Sequence, residues 1–109
     1  MPQLGKFLHK AATRNAYFYW CPGCKHAHEF DCEPPRGWRF NGDIERPTFS
    51  PSMRVFMPAH EGEPEKTLCH HFVTNGQIIF LSDCDHELAT QQIPMVPVDN
   101  HAGYGWGDS

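Results

Sequence analysis

The chain has 109 residues, of which 39% are hydrophobic and 13% aromatic, and this size and composition suit one domain with a modest core. The net charge is −4, and no basic run or aromatic-interleaved basic stripe occurs, which argues against a nucleic-acid partner. No apolar stretch reaches the roughly 18 residues of a transmembrane helix, and the N-terminus lacks a hydrophobic signal segment. We therefore expect a cytoplasmic protein without membrane contact.

Nine glycines and ten prolines predict short strands and many turns rather than long helices. The expected fold is mainly β (small α+β), built from short antiparallel strands and hairpins. We expect a single zinc-binding domain over residues 1–109, with an N-terminal arm (1–16), a core (17–98) and a Gly-rich tail (99–109). A core of this size benefits from a metal staple.

Two predicted strands, residues 17–20 and 26–31, flank the turn CPGC at residues 21–24. Proline fixes φ as the chain enters such a turn and glycine accepts a strained φ as it leaves, so the sulfurs of Cys21 and Cys24 aim at one point. This zinc knuckle is half of a tetrahedral metal site. Five cysteines in a reducing cytosol indicate metal binding rather than disulfides, and the odd number leaves at least one for another task.

A polar segment with two prolines occupies the middle of the chain. Residues 38–40 alternate as a half-buried strand that ends at the turn signal Asn41-Gly42. In residues 41–52 the prolines remove two backbone donors, which predicts a rigid loop or sheet edge, and residues 53–57 resume as a strand. The segment presents four polar side chains: Glu45, Arg46, Ser50 and Ser52.

The clearest hairpin signal is Asn75-Gly76, which favours a two-residue type I′ turn within residues 67–81. In that register Cys69 faces Ser82. Four possible metal ligands, here called the hairpin ligands, then meet at the open end of the hairpin: Cys69, His70, Cys84 and His86.

The C-terminal region carries weaker signals. Residues 83–90 are expected to form one or two helical turns with Asp83 as the N-cap. Residues 93–98 contain two prolines, which predicts an edge strand. The tail has no interpretable pattern, although Tyr104 and Trp106 could dock on the core.

Three stretches together resemble a known family: YWCPGC at residues 19–24, FNGDIERPTFSPS at 40–52, and the Cys69-His70 pair that leads to FLSDCDHELA at 80–89. The family contains small proteins of unassigned function that are frequent in phages and prophages and often mislabelled as ammonia monooxygenase. Some members are encoded beside bacterial ubiquitin-like conjugation genes. The resemblance therefore implies a zinc-dependent peptidase role, in the host-cell cytosol if the gene is carried by a phage.

The seven candidate metal ligands are Cys21, Cys24, His28, Cys69, His70, Cys84 and His86. In one arrangement a single structural zinc is held by the knuckle cysteines and two of the hairpin ligands. In the other, the sulfurs hold a structural zinc while the three histidines converge on a second, catalytic zinc with an open position for water. Because Cys69 and His70 point to opposite faces of a regular strand, we do not expect them to share one ion.

Metal-dependent catalysis also needs a proton-transfer group that is not a ligand. Glu45 is the candidate base, since the neighbouring prolines would hold its carboxylate rigidly. Arg46 could stabilise an oxyanion or bind a substrate carboxylate, and Ser50 could donate a hydrogen bond to the oxyanion. In the alternative interpretation Glu45 and Arg46 pair on the surface and the serines cap turns.

Two functions compete at this stage. The leading hypothesis is a zinc-dependent hydrolase, a peptidase that acts on a ubiquitin-like or other protein tail. The rival is a non-catalytic phage accessory protein whose zinc only holds the fold and whose surface binds a host protein. In both cases the partner is a protein.

Overall fold

The computed structural model describes residues 2–106, which form two antiparallel sheets. Sheet A has four strands in chain order: β1 (Gln3–Leu4), β2 (Leu8–Lys10), β3 (Ala16–Cys21) and β4 (His26–Asp31). Sheet B has five, also in chain order: β5 (Arg39–Phe40), β6 (Phe49–Met57), β7 (Lys66–Thr74), β8 (Gln77–Phe80) and β9 (Gln92–Pro94). A short 3-10 helix, Val98–Tyr104, follows. The prediction of a mainly β fold is confirmed.

The cysteine turn joins β3 and β4 in the predicted hairpin. The backbone N–H of Lys25 donates to the carbonyl of Cys21 at 2.8 Å and closes the turn. The left-handed backbone falls on Lys25, with φ of 60°, and not on Gly23 as expected. Gly23 is required for a different reason, because a Cβ at that position would overlap the imidazole ring of His86.

The second predicted hairpin joins β7 and β8, and Thr74 pairs with Gln77 as expected. Asn75 and Gly76 have φ of 51° and 75°, the left-handed values that a type I′ turn requires at both central positions. This turn fixes the register of β7, on which the positions of Cys69 and of the residues next to it depend.

β6 begins at Phe49, earlier than the strand predicted at residues 53–57. The polar segment therefore divides into a loop and the first residues of β6. The pairing of β6 with β7 is irregular between Phe49 and Met53. Such a bulge frees Pro51 from the ladder of hydrogen bonds, in which proline cannot donate.

The chain after β8 differs from expectation. Residues 83–90 form turns and no helix. β9 is a three-residue strand at the edge of sheet B, shorter than the predicted edge strand. The N-terminal arm contributes the short strands β1 and β2 to sheet A.

The two sheets pack face to face through aromatic side chains. Phe30 of sheet A stacks on Phe49 of sheet B with ring centroids 4.3 Å apart, and Tyr19 stacks on Phe30 at 5.0 Å. The Tyr19 hydroxyl lies 2.6 Å from Nε2 of His71 on β7. Burial raises the pKa of Tyr19 well above its ordinary value and lowers the pKa of His71 to about 3, so both groups are neutral and the hydroxyl donates to the imidazole.

The 3-10 helix docks on sheet A through Trp20, which stacks on His101 with ring centroids 3.7 Å apart. Tyr104 and Trp106 also contact Trp20 edge-on, as expected for a docked tail. Residues 107–109 of the predicted tail lie outside the described residues. Within residues 2–106, no helix has the length and apolar character needed to cross a membrane.

Replacing Tyr19 with Phe tests the hydrogen bond between the sheets. We expect Tyr19→Phe to lower the free energy of unfolding by about 1–3 kcal/mol, because the buried His71 Nε2 loses its donor. Urea denaturation of the two proteins under the same conditions measures the change. Tyr104→Phe is the matched control, since its exposed hydroxyl has one long contact, 3.4 Å from the Ala27 N–H, and its loss should cost less than about 0.5 kcal/mol. Equal effects of the two substitutions would contradict the assignment.

Candidate catalytic and metal sites

β7 contributes to two sites because neighbouring side chains on a strand point to opposite faces. Cys69 and His71 point between the sheets, and both are 0% exposed. His70 points to the outer face of sheet B and remains partly exposed. Cys69 belongs to both candidate metal groups and His70 to neither, which supports the prediction that these two residues do not share an ion.

A cluster of possible metal ligands lies between the sheets. Its four ligand atoms, all within 4.8 Å of one another, belong to Cys21, Cys24, His28 and Cys69. Three of these residues come from the β3–β4 hairpin and the fourth from β7. All five cysteines are free thiols. The cluster can therefore hold a metal ion that links sheet A to sheet B.

His28 suits the position of fourth ligand. Its Nε2 is buried and has no hydrogen-bond partner among residues 2–106. A buried nitrogen without a partner is costly, and a metal ion would satisfy it. Three thiolates and one imidazole form the closed tetrahedral set that is typical of structural zinc.

His86 contacts the same cluster as a hydrogen-bond donor. Its Nε2 lies 3.2 Å from the sulfur of Cys69, while its Nδ1 accepts a hydrogen bond from the backbone N–H of Leu88 at 3.2 Å. A neutral imidazole whose Nδ1 accepts must carry its proton on Nε2. His86 therefore donates to the sulfur, and its ring packs over Gly23.

Further donors stabilise negative charge on the sulfurs. Hydrogen bonds from Cys24 and Cys69 lower the pKa of Cys21 to about 4, while the hydrogen bonds of Cys69 with Cys21 and Cys24 raise the pKa of Cys69. A metal ion bound to the Cys69 sulfur would displace its proton. His71 Nδ1 lies 3.1 Å from the Cys69 sulfur. Because Nε2 of His71 accepts from Tyr19, Nδ1 carries the proton and donates to that sulfur. Donors of this kind orient metal ligands and tune their basicity.

Cys84 binds the backbone of β7. Its sulfur accepts from the N–H of His70 at 3.2 Å and donates to the carbonyl of His70 at 3.1 Å. Cys69, Cys84 and His86 form a second group whose ligand atoms lie within 4.8 Å of one another. The group that contains His28 fits an ion better, since it offers four ligand atoms and a buried nitrogen that has no partner among residues 2–106.

On the outer face of sheet B, His70 connects a hydroxyl to a carboxylate. Its Nε2 lies 3.1 Å from Ser52 Oγ, and its Nδ1 lies 3.1 Å from Asp83 Oδ2. An ionised carboxylate can only accept, so Nδ1 carries the proton and Nε2 accepts from the Ser52 hydroxyl. These are the contacts of a serine nucleophile, a general base and the group that orients the base.

Ser52 is held by the bulge in β6 and by Trp38. The indole N–H of Trp38 lies 3.1 Å from the carbonyl oxygen of Pro51 and 3.4 Å from that of Ser52. Bulges often re-aim a side chain beside an active site. Here the irregular segment ends at Met53, which points inward, so Ser52 lies on the outer face with His70.

Asp83 is held by a turn that runs beside β7. The N–H of Leu81 donates to the carbonyl of His70 at 2.9 Å, and the N–H of Asp85 donates to the carbonyl of Leu68 at 2.8 Å. The side chains of His70 and Asp83 are 25% and 49% exposed, so this site faces solvent.

The predicted catalytic residues Glu45 and Ser50 lie elsewhere. Glu45 is exposed and, with Lys6 and Arg46, lines a cavity of about 400 Å³ beside the N-terminal arm. Neither candidate metal group contains Glu45. Ser50 is exposed and pairs with Arg39 at the β5 end of β6.

Ser52 and Asp83 are the site residues that sequence reasoning did not assign to a site. Ser52 was expected only as an exposed polar group and Asp83 only as a helix cap. The spacing of Ser52, His70 and Asp83 along the chain matches no short motif, because serine triads are recognised by geometry rather than by sequence order. The only available signal was the hairpin register that brings residues 81–85 beside His70.

A family model described as Bacterial ubiquitination-like system serine protease (BubE) matches residues 3–81. No curated protein and no solved structure matches the chain. The matched region contains Ser52, His70 and the four-ligand metal cluster, and Asp83 follows shortly after its end. The predicted link to bacterial ubiquitin-like conjugation systems is confirmed.

Substitution of individual histidines distinguishes the metal ligand from its neighbours. We expect one ion per chain and a loss of metal affinity in His28→Ala that exceeds about 100-fold, because a ligand is removed. His86→Ala should cost about 10–100-fold, as is typical of a group that hydrogen-bonds to a ligand. The exposed His60, in the segment between β6 and β7, is the control and should have no effect. Competition with a chelator and native mass spectrometry measure both quantities, and two ions per chain would contradict the single cluster.

Gly23→Ala tests the packing of His86 on the cysteine turn. The new Cβ would displace the imidazole from the Cys69 sulfur, so we expect the loss of metal affinity to match that of His86→Ala. Gly103→Ala is the matched control, since a Cβ there meets no atom within 4 Å and its φ is not left-handed. The prediction fails if Gly23→Ala binds metal as tightly as the Gly103→Ala control.

Proposed function

Since the chain belongs to the family of bacterial ubiquitination-like system serine proteases (BubE), we propose that it is a serine peptidase that cleaves proteins of such a system, with Ser52 as the nucleophile. The observation that carries this proposal is the chain of hydrogen bonds from Ser52 through His70 to Asp83. Ser52 would then be the catalytic serine that the family description implies.

The geometry supports a different role for each of the three groups. Asp83 accepts the Nδ1 proton of His70 and thereby keeps Nε2 free to act as a base. Ser52 Oγ attacks the carbonyl carbon of the scissile bond while its proton passes to His70 Nε2. His70 then gives the proton to the leaving amine, and water hydrolyses the acyl-enzyme with His70 again as the base.

We further propose that the metal is zinc and that its role is structural. Cys21, Cys24, His28 and Cys69 would hold it, and the ion would supply cross-linking of the two sheets. Four protein ligands leave no position for a water molecule, which a metal-dependent hydrolase requires. We therefore favour the serine mechanism over the zinc-dependent mechanism with Glu45 that the sequence suggested.

Substitution of two serines on β6 tests the assignment of the nucleophile. We expect Ser52→Ala to lower the rate of peptide-bond hydrolysis about 10⁴–10⁶-fold, because the acyl-enzyme forms on the Ser52 hydroxyl. The assay follows cleavage of a ubiquitin-like protein from a bacterial conjugation system that carries a C-terminal extension. Ser50→Ala is the matched control, since Ser50 is exposed on the same strand.

Metal content and urea denaturation establish that each variant is folded and loaded. The outcome that contradicts the serine mechanism is hydrolysis by loaded Ser52→Ala at the unsubstituted rate. If Ser50→Ala and Ser52→Ala lost activity equally, the hydrogen bond to His70 would not identify the nucleophile.

A further inference from the structure

An apolar surface lies beside the triad on the outer face of sheet B. It consists of Phe72, Ile79 and Leu81 and is called the apolar ledge below. Phe72 on β7 is 39% exposed and is the cross-strand partner of Ile79 on β8. Leu81 directly follows β8, and its backbone N–H donates to the carbonyl of His70, which holds it beside the same part of β7.

The ledge is separate from the hydrophobic core. On β7 the inward positions are Cys69, His71 and Val73, all fully buried, and Phe72 alternates with them. Phe72, Ile79 and Leu81 do not belong to the partly buried side chains that pack against the core. Apolar side chains of this size left beside a reactive group are typical of a binding surface.

The ledge is close enough to the nucleophile to contact a substrate. Phe72 follows His70 by two residues on one face of β7, a separation of about 7 Å along the strand. Leu81 is joined to His70 through its backbone N–H at 2.9 Å. A substrate whose carbonyl carbon lies at Ser52 Oγ is therefore within reach of these side chains.

Arg54, a cation beside the triad, already has hydrogen-bond partners within the protein. Arg54 pairs with His70 across β6 and β7, but its guanidinium contacts Glu65 Oε1 at 2.6 Å and Thr67 Oγ1 at 3.0 Å. It also lies over the ring of Phe56 at 4.8 Å. The ion pair with Glu65 therefore offsets the charge of this cation beside His70.

We propose that the apolar ledge is the specificity subsite of the enzyme and binds a bulky apolar side chain of the substrate, adjacent to the scissile bond. This inference rests on the proposed serine mechanism. Phe72 supplies the largest part of the subsite, and Ile79 and Leu81 form its floor. The substrate class is thus a polypeptide with an extended segment that carries an apolar residue beside the cleaved bond.

Two small reagents that sulfonylate serine test the ledge without knowledge of the natural substrate. With each, Ser52 Oγ forms a bond to sulfur, fluoride leaves and the serine proton passes to His70. Phenylmethanesulfonyl fluoride carries an apolar ring and methanesulfonyl fluoride does not. Intact-mass measurement of the loaded protein gives the rate of modification by each reagent, and Ser52→Ala gives the background.

We expect the ratio of the two rates to fall about tenfold or more in Phe72→Ser, since a lost apolar contact is worth 10–200-fold in discrimination. Phe72→Leu should keep most of the ratio. The matched control is Phe56→Ser, because Phe56 is 43% exposed on the same sheet beyond Arg54, and it should leave the ratio unchanged.

The outcomes separate the subsite from the mechanism. If both reagents modify Ser52 but the ratio is the same in the unsubstituted protein, Phe72→Ser and Phe56→Ser, the ledge is not a subsite and the serine mechanism stands. If neither reagent modifies Ser52 above the Ser52→Ala background, the serine mechanism fails and the subsite fails with it.

Discussion

The contact of Cys69 with the β3–β4 hairpin is the constraint on which the rest of the structure depends. The Cys69 sulfur lies 4.0 Å from that of Cys21 on the other sheet. It accepts hydrogen bonds from the ring N–H groups of His71 and His86 at 3.1 Å and 3.2 Å. A chain of 109 residues buries a limited apolar surface, and several of its strands have only two or three residues. The aromatic stack between the sheets is therefore helped by a cluster that can add metal–ligand bonds to folding stability.

The same contact determines where the base of the triad lies. Because side chains alternate along a strand, a slip of β7 by one residue would move Cys69 to solvent and His70 between the sheets. The buried hydrogen bond of His71 with Tyr19 opposes the same slip. A structural ion would thus affect catalysis through the register of β7, without contact with the substrate. The alternation of β7 therefore allows the candidate metal ligands and the proposed serine triad to occupy adjacent positions.

The parts of this arrangement that could be predicted from the sequence depend on local chemistry. CPGC and Asn75-Gly76 are short signals for a knuckle and a type I′ turn. The register of the second hairpin follows from its turn, because each residue before Asn75 pairs with the residue at the same distance after Gly76. Ser52 could not be placed, because it lies behind a bulge that removes the simple alternation of β6. Asp83 reaches His70 through a turn that is held by backbone hydrogen bonds to β7. The local sequence predicts a helix N-cap there instead, because Asp is a preferred N-cap residue. The prolines near Glu45 favoured a rigid catalytic loop, but Glu45 lines a cavity that contains none of the candidate metal ligands.

The exposure of the triad has a consequence for its chemistry. The hydrogen bond between His70 and Asp83 is open to water, and Asp83 is 49% exposed, so in the free protein its electrostatic benefit is screened. A polypeptide lying over the apolar ledge would exclude water from the same face and lower the local dielectric, which strengthens the contact that orients His70. Binding energy from the apolar side chain would then be used to organise the base.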